Sequence, residues 1–119
     1  MKLSNYLRKK KCVPCERGVP LISRNEAESY LEELPVWKLS GDGKSIFCEY
    51  LMKNFIEAIH FVNRIAKVAE KEDHHPDLHL VGYRRLKIEL STHAVGGLSE
   101  NDFILAAKID RLPKKSKTP

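Results

Sequence analysis

The sequence predicts an α+β fold, a four-stranded antiparallel sheet with helices packed on one face, in the order α-β-β-α-β-β-α. Three observations carry that reading. Two capping signatures, Ser23 with Glu26 and Asn54 with Glu57, each open a stretch of apolar residues at helical spacing. Arg84 to Thr92 alternates cleanly, with Leu86, Ile88 and Leu90 on one side and Arg85, Lys87 and Glu89 on the other. That is the pattern of an antiparallel strand with one face on a core. Finally, two hairpin-like strand pairs flank the longer helix.

The elements follow in order. Ser23-Arg24-Asn25-Glu26 is a capping box, and the helix it opens is expected to reach about Leu34, where Pro35 ends it. Ala27, Tyr30, Leu31 and Leu34 share one face of it. Trp37 to Leu39 and Ile46 to Tyr50 read as strands around a Gly41-Asp42-Gly43-Lys44 turn. Asn54 starts the longest helix, about Phe55 to Lys71. Phe55, Ala58, Ile59, Val62, Ile65, Ala66 and Ala69 form the stripe expected to lie on the sheet. Phe61 and Val68 fall off that stripe and point to a contact with another subunit, while His60 and Asn63 read as helix-surface residues. Leu78 to Val81 is a short strand broken by Gly82, and Arg84 to Thr92 is its partner. A turn at Gly96-Gly97 leads to Ser99-Glu100-Asn101-Asp102, which caps a last helix from Phe103 to about Leu112.

The chain has 119 residues, 42% hydrophobic and 31% charged, a balance that suits one globular domain and excludes a disordered or collagen-like chain. No apolar run approaches the ~20 residues of a membrane span, and the start carries no secretory signal, so a cytoplasmic protein is expected. The formal charge is +5. Lys2, Arg8, Lys9, Lys10 and Lys11 at one end and Lys114, Lys115 and Lys117 at the other exceed that surplus, leaving a slightly acidic body. Direct nucleic-acid binding is therefore not expected. The resulting division is a basic N-terminal arm and loop over residues 1–22, a domain over 23–112, and a basic disordered tail over 113–119.

Three cysteines are too few for a disulfide framework. Cys12-Val13-Pro14-Cys15 has the spacing of a zinc half-site or redox pair, but the remaining Cys48 sits alone in a strand pattern, so two thiols in a loop are expected. Four of the five histidines, His74, His75, His79 and His93, fall within twenty residues. Imidazole exchanges protons near neutral pH. Pro76 forces His75 toward extended backbone, so the adjacent rings of His74 and His75 should point apart. If their loop borders the strand end at His93, three imidazoles converge on one pocket. Proton transfer, a metal site and structural histidines all remain open on spacing alone, with His79 the weakest member. There is no nucleophile elbow, phosphate loop or dinucleotide fingerprint.

The run Glu70-x-x-x-His74-His75-Pro76, then Tyr83, His93 and Asp102 at fixed spacings, resembles the signature of the pterin-4a-carbinolamine dehydratases. Ser91-Thr92-His93-Ala94-Val95-Gly96-Gly97-Leu98-Ser99 and the Trp37 after the first helix are similar to that family as well, over roughly Cys12 to Leu112. The resemblance implies dehydration of a 4a-hydroxytetrahydropterin to the quinonoid dihydropterin, recycling the pterin of aromatic amino acid hydroxylases, with no cofactor and no metal. It implies His74, His75 and His93 as the catalytic set, with His74 and His93 as acid and base and His75 chiefly holding the pterin. Glu70, Pro76 and Asp102 are implied as supporting residues, and backbone groups of Ser91, Thr92 and Ala94 as pterin contacts. A homodimer or homotetramer is expected, and a second role as a dimerisation cofactor of a homeodomain transcription factor is known among such proteins. Two positions depart from the pattern: Leu78 stands where many members carry an aromatic residue, and Asn101 where Arg is frequent.

Overall fold

The computed structural model describes residues 3–13 and 18–117. In chain order the elements are α1 (Leu3–Lys9), α2 (Arg24–Leu31), β1 (Lys38–Leu39), β2 (Ile46–Leu51), α3 (Phe55–Glu72), β3 (Asp77–Val81), β4 (Arg85–Leu90), a 3-10 turn (His93–Val95) and α4 (Glu100–Asp110). The sheet is antiparallel throughout, with strand order β1-β2-β4-β3, so the α+β class and the four strands are as the sequence predicts. Its central pair, β2 with β4, sets Cys48 opposite Ile88 and Tyr50 opposite Leu86. Ile46, Cys48, Tyr50, Leu86, Ile88 and Leu90 are all buried on the face that the helices cover. The alternate positions Glu49, Lys87 and His79 form a row on the open face.

Local chemistry accounts for the helix starts. Ser23 Oγ accepts from the Glu26 N–H at 3.2 Å while Glu26 Oε1 accepts from the Ser23 N–H at 3.1 Å, closing the capping box. Asn54 Oδ1 accepts from the Glu57 N–H at 2.9 Å. The β1–β2 turn is held by Asp42 Oδ1, which accepts from Ser40 Oγ and from the Lys44 N–H, with Gly43 at φ 72°. α4 is buried almost all round, from Asn101 through Ala107 and again at Ile109, because it lies between α1 and α3.

Four expectations are corrected. The stripe on α3 is rotated: Ala58, Phe61, Ile65 and Ala69 are the buried residues, whereas Phe55 is 52% exposed and Ala66 is exposed. Phe61 is fully buried and meets Tyr50 edge-on with ring centroids 5.6 Å apart, so it does not face another subunit, and Val68 is partly buried against the core. The N-terminal arm is not simply a basic loop. It contains α1, whose Leu7 is fully buried and which packs along α4. Leu3 and Leu7, four apart in a seven-residue stretch that ends in Arg8 and Lys9, are too short a run for a periodic signal. The C-terminal segment is ordered through residue 117: the Lys117 N–H donates to Leu51 O at 2.7 Å and the Lys53 N–H to Lys115 O at 3.0 Å. Lys114 Nζ stands 5.5 Å from the Tyr50 ring centroid and 5.3 Å from that of Phe61, so a cation–π contact holds what its charge suggested was a loose end.

A candidate active site built on a buried carboxylate

α3 ends at Asp73, whose backbone takes the left-handed conformation at φ 52°. That reversal, followed by the restriction Pro76 places on His75, sends successive rings to opposite sides. His74 turns inward and is 6% exposed. His75 turns outward, its Nε2 2.5 Å from Oε2 of Glu70, and both side chains are largely in solvent. The expected divergence of the two rings is what the structure shows.

The inward ring meets Asp102, and His74 Nε2 lies 2.7 Å from Asp102 Oδ1. The carboxylate is fully buried. Its other oxygen accepts from Thr92 Oγ1 at 2.8 Å and from the Ser99 N–H at 3.0 Å. The one hydroxyl proton of Thr92 goes to Asp102, so Ser99 Oγ, 2.7 Å away, donates to Thr92. Asp102 thus does two things at once: it supplies the carboxylate half of the α4 cap and it fixes the His74 ring. Both oxygens of the buried carboxyl group are partnered, and among the described residues no buried side-chain N or O lacks a hydrogen bond.

This knot joins two chain segments whose next residues are exposed imidazoles. His75 follows His74, and His93 follows Thr92 as the first, exposed residue of the 3-10 turn. Gly96, left-handed at φ 66°, closes that turn by donating its N–H to His93 O at 3.1 Å. Ala94 is exposed and Ser91 and Pro76 are partly so. Thr92 is bonded within the protein through both backbone and side chain. Its N–H donates to Gly97 O at 2.7 Å, its carbonyl accepts from Val95 at 3.1 Å, and its hydroxyl bonds Asp102.

His79 lies outside this constellation, on the open sheet face, with Nε2 3.9 Å from Glu89 Oε1. It borders a groove of about 680 Å³ with Glu49, Leu51, Arg85 and Lys87, which none of His74, His75 and His93 lines. His60 and Asn63 are on the exposed side of α3. Among the described residues no three His, Cys, Asp or Glu side chains gather as metal ligands. Cys48 is buried under the sheet and Cys12 is partly buried, while Cys15 lies outside the described residues. No described helix is long and apolar enough to cross a membrane.

Sequence reasoning missed the burial of two polar residues beside the knot. Glu72 accepts from Lys108 Nζ at 2.7 Å and from the Cys12 N–H at 2.9 Å. Burial alone would raise its pKa, but the Lys108 ammonium and the Cys12 N–H outweigh that and hold it below the ordinary carboxylate value. Asn101 is 2% exposed and bonds both the N–H and the carbonyl of Val13. The one available signal was polarity at positions a helix should bury.

A sequence model of the family Pterin 4 alpha carbinolamine dehydratase matches residues 20–112. A Halorhodospira halophila relative bearing that family's name is 50% identical over 103 residues, covering 87% of this chain and 94% of its own. The Arabidopsis thaliana protein named pterin-4-alpha-carbinolamine dehydratase 2, mitochondrial, is 45% identical over 106 residues, or 87% of this chain and 57% of that one. Among solved structures, a transcriptional coactivator/pterin dehydratase from Brucella melitensis superposes with a TM-score of 0.72 at 30% identity, covering 76% of this chain and 96% of the other. With a family model matching residues 20–112 and a relative 50% identical over most of both chains, the chain belongs to the pterin 4 alpha carbinolamine dehydratase family.

Proposed function

We propose that this protein dehydrates a 4a-hydroxytetrahydropterin to the quinonoid dihydropterin and water, by histidine acid–base catalysis in pterin recycling. A base removes the N5 proton, the N5–C4a double bond forms, and the C4a–O bond breaks as an acid protonates the departing hydroxyl. One proton is taken and one is given, so the reaction needs two proton-exchanging groups and no net oxidant.

The observation that carries this reading is the placement of two exposed imidazoles on backbones tied to the same carboxylate, His75 through His74 and His93 through Thr92. Burial favours a division of labour different from the one expected. His74 has one nitrogen engaged and little surface, so it positions. His75 and His93 can touch a substrate and serve as the acid–base pair. Glu70 stabilises the His75 imidazolium as a carboxylate partner does. Cytoplasmic residence and a homo-oligomer belong to the same reading. Stopped-flow dehydration of a synthetic 4a-hydroxytetrahydropterin tests it: His75→Ala and His93→Ala should each slow turnover by roughly 10²-fold or more. A wild-type rate in His75→Ala, with His74→Ala inactive, would return the acid–base role to His74.

A further inference from the structure

The N-terminal segment makes contacts that its charge did not announce. Residues 10–13 leave α1 and run against the two places from which the knot is built. Glu72 stands two residues ahead of His74 on the last turn of α3, and Asn101 immediately ahead of Asp102 on the first turn of α4. The segment binds both. The Cys12 N–H donates to Glu72 Oε1 at 2.9 Å, the Val13 N–H to Asn101 Oδ1 at 3.0 Å, and Asn101 Nδ2 to Val13 O at 2.8 Å. Cys12 Sγ lies 3.6 Å from Asn101 O, and Lys10 pairs with Glu100. Lys108 Nζ, at 2.7 Å from Glu72 Oε2, ties α4 back to α3.

We infer that residues 10–13 are a strap that sets the spacing of His74 from Asp102, and that Asn101 and Glu72 are the positioning residues through which it acts. The inference rests on the dehydratase reading above. Burying a carboxylate and an amide is costly unless each polar atom is used, and apolar side chains would close the same gap more cheaply. What the polar pair adds is register. Asn101 offers a donor and an acceptor at fixed separation, matching the carbonyl and N–H of a single residue as a neighbouring strand would. With Glu72 holding the adjacent N–H, the strap cannot slide without breaking bonds to both flanks of the knot. A displacement of about 1 Å at such a site is enough to cost two orders of magnitude in rate. Neither residue touches the reacting atoms in this scheme, so both are positioning residues.

Asn101→Ala and Val13→Pro test the inference from its two sides. The proline removes the N–H donated to Asn101 from a half-exposed residue and leaves the core intact. Each variant should lower kcat by roughly 10-fold or more with KM little changed. The double variant should be no slower than the slower single one, because both remove one contact. The His74 ring ¹⁵N resonances should move in both. Should Asn101→Ala fail to fold, Val13→Pro decides alone. Unchanged kcat and unchanged His74 resonances, with only a lowered Tm, would overturn the strap and leave the dehydratase reading standing. A wild-type protein that does not accelerate dehydration would overturn that reading, and the ring resonances would then decide whether the strap positions His74.

Discussion

Asp102 is the residue on which most depends. It accepts from His74, Thr92 and the Ser99 N–H in a fully buried position, so removing it strands three donors at once. Asp102→Ala should cost about 3 kcal/mol or more, each orphaned group contributing ~1–3 kcal/mol, as equilibrium denaturation would measure. Asp102→Asn keeps the shape but puts an N–H₂ where one of these donors must bind. It should fold, while slowing dehydration by roughly 10²-fold because the ring loses its orienting carboxylate. At this scale the sequence was partly legible. The spacing of Glu70, His74, His75, His93 and Asp102 marked the candidate site, and Pro76 foretold the diverging rings. Which ring turns inward was not legible, because it depends on the left-handed residue at Asp73, a conformation that no pattern of types at those positions specifies.

At the scale of elements, the helix starts were legible because capping boxes are local, and β4 because alternation is. The facing of α3 was not. Ala58, Ile65 and Ala69 belong to the expected and the observed stripe alike, and choosing between Phe61 and Phe55 needs the position of Tyr50 across the core. Phe61→Ala should therefore destabilise by about 3–5 kcal/mol, and Phe55→Ala by little, in the same denaturation measurement. α1 is too short to stand alone and depends on docking. Leu7→Ala should cost about 2 kcal/mol or more and raise hydrogen exchange first in α1, because the helix undocks before the sheet opens.

For the molecule as a whole, buried carboxylates shape the response to pH. Burial raises the Asp110 pKa, and the Trp37 indole N–H, 2.8 Å from Asp110 Oδ1, with the nearby Lys114, only partly offsets it. A pKa higher in the folded than the unfolded chain means that protonation favours folding, so this contribution is present in acid and lost as pH rises through the folded value. Asp110→Asn keeps an acceptor for Trp37 and should raise Tm at neutral pH, with the gain shrinking as pH falls toward 4. Glu72 has the opposite sign: its lowered pKa adds stability above the ordinary carboxylate range, lost on acidification.

The strand order carries one more consequence, for how the chain is made. β2 and β4 pair at the centre of the sheet, yet α3 and β3 lie between them along the chain. The strap at residues 10–13 leaves the ribosome well before α4, which it grips. A nascent chain can hold α3 and the first hairpin but neither the closed sheet nor the Asp102 knot. Prematurely terminated products lacking α4 are therefore inactive fragments with exposed strand edges, a ready substrate for proteolytic clearance.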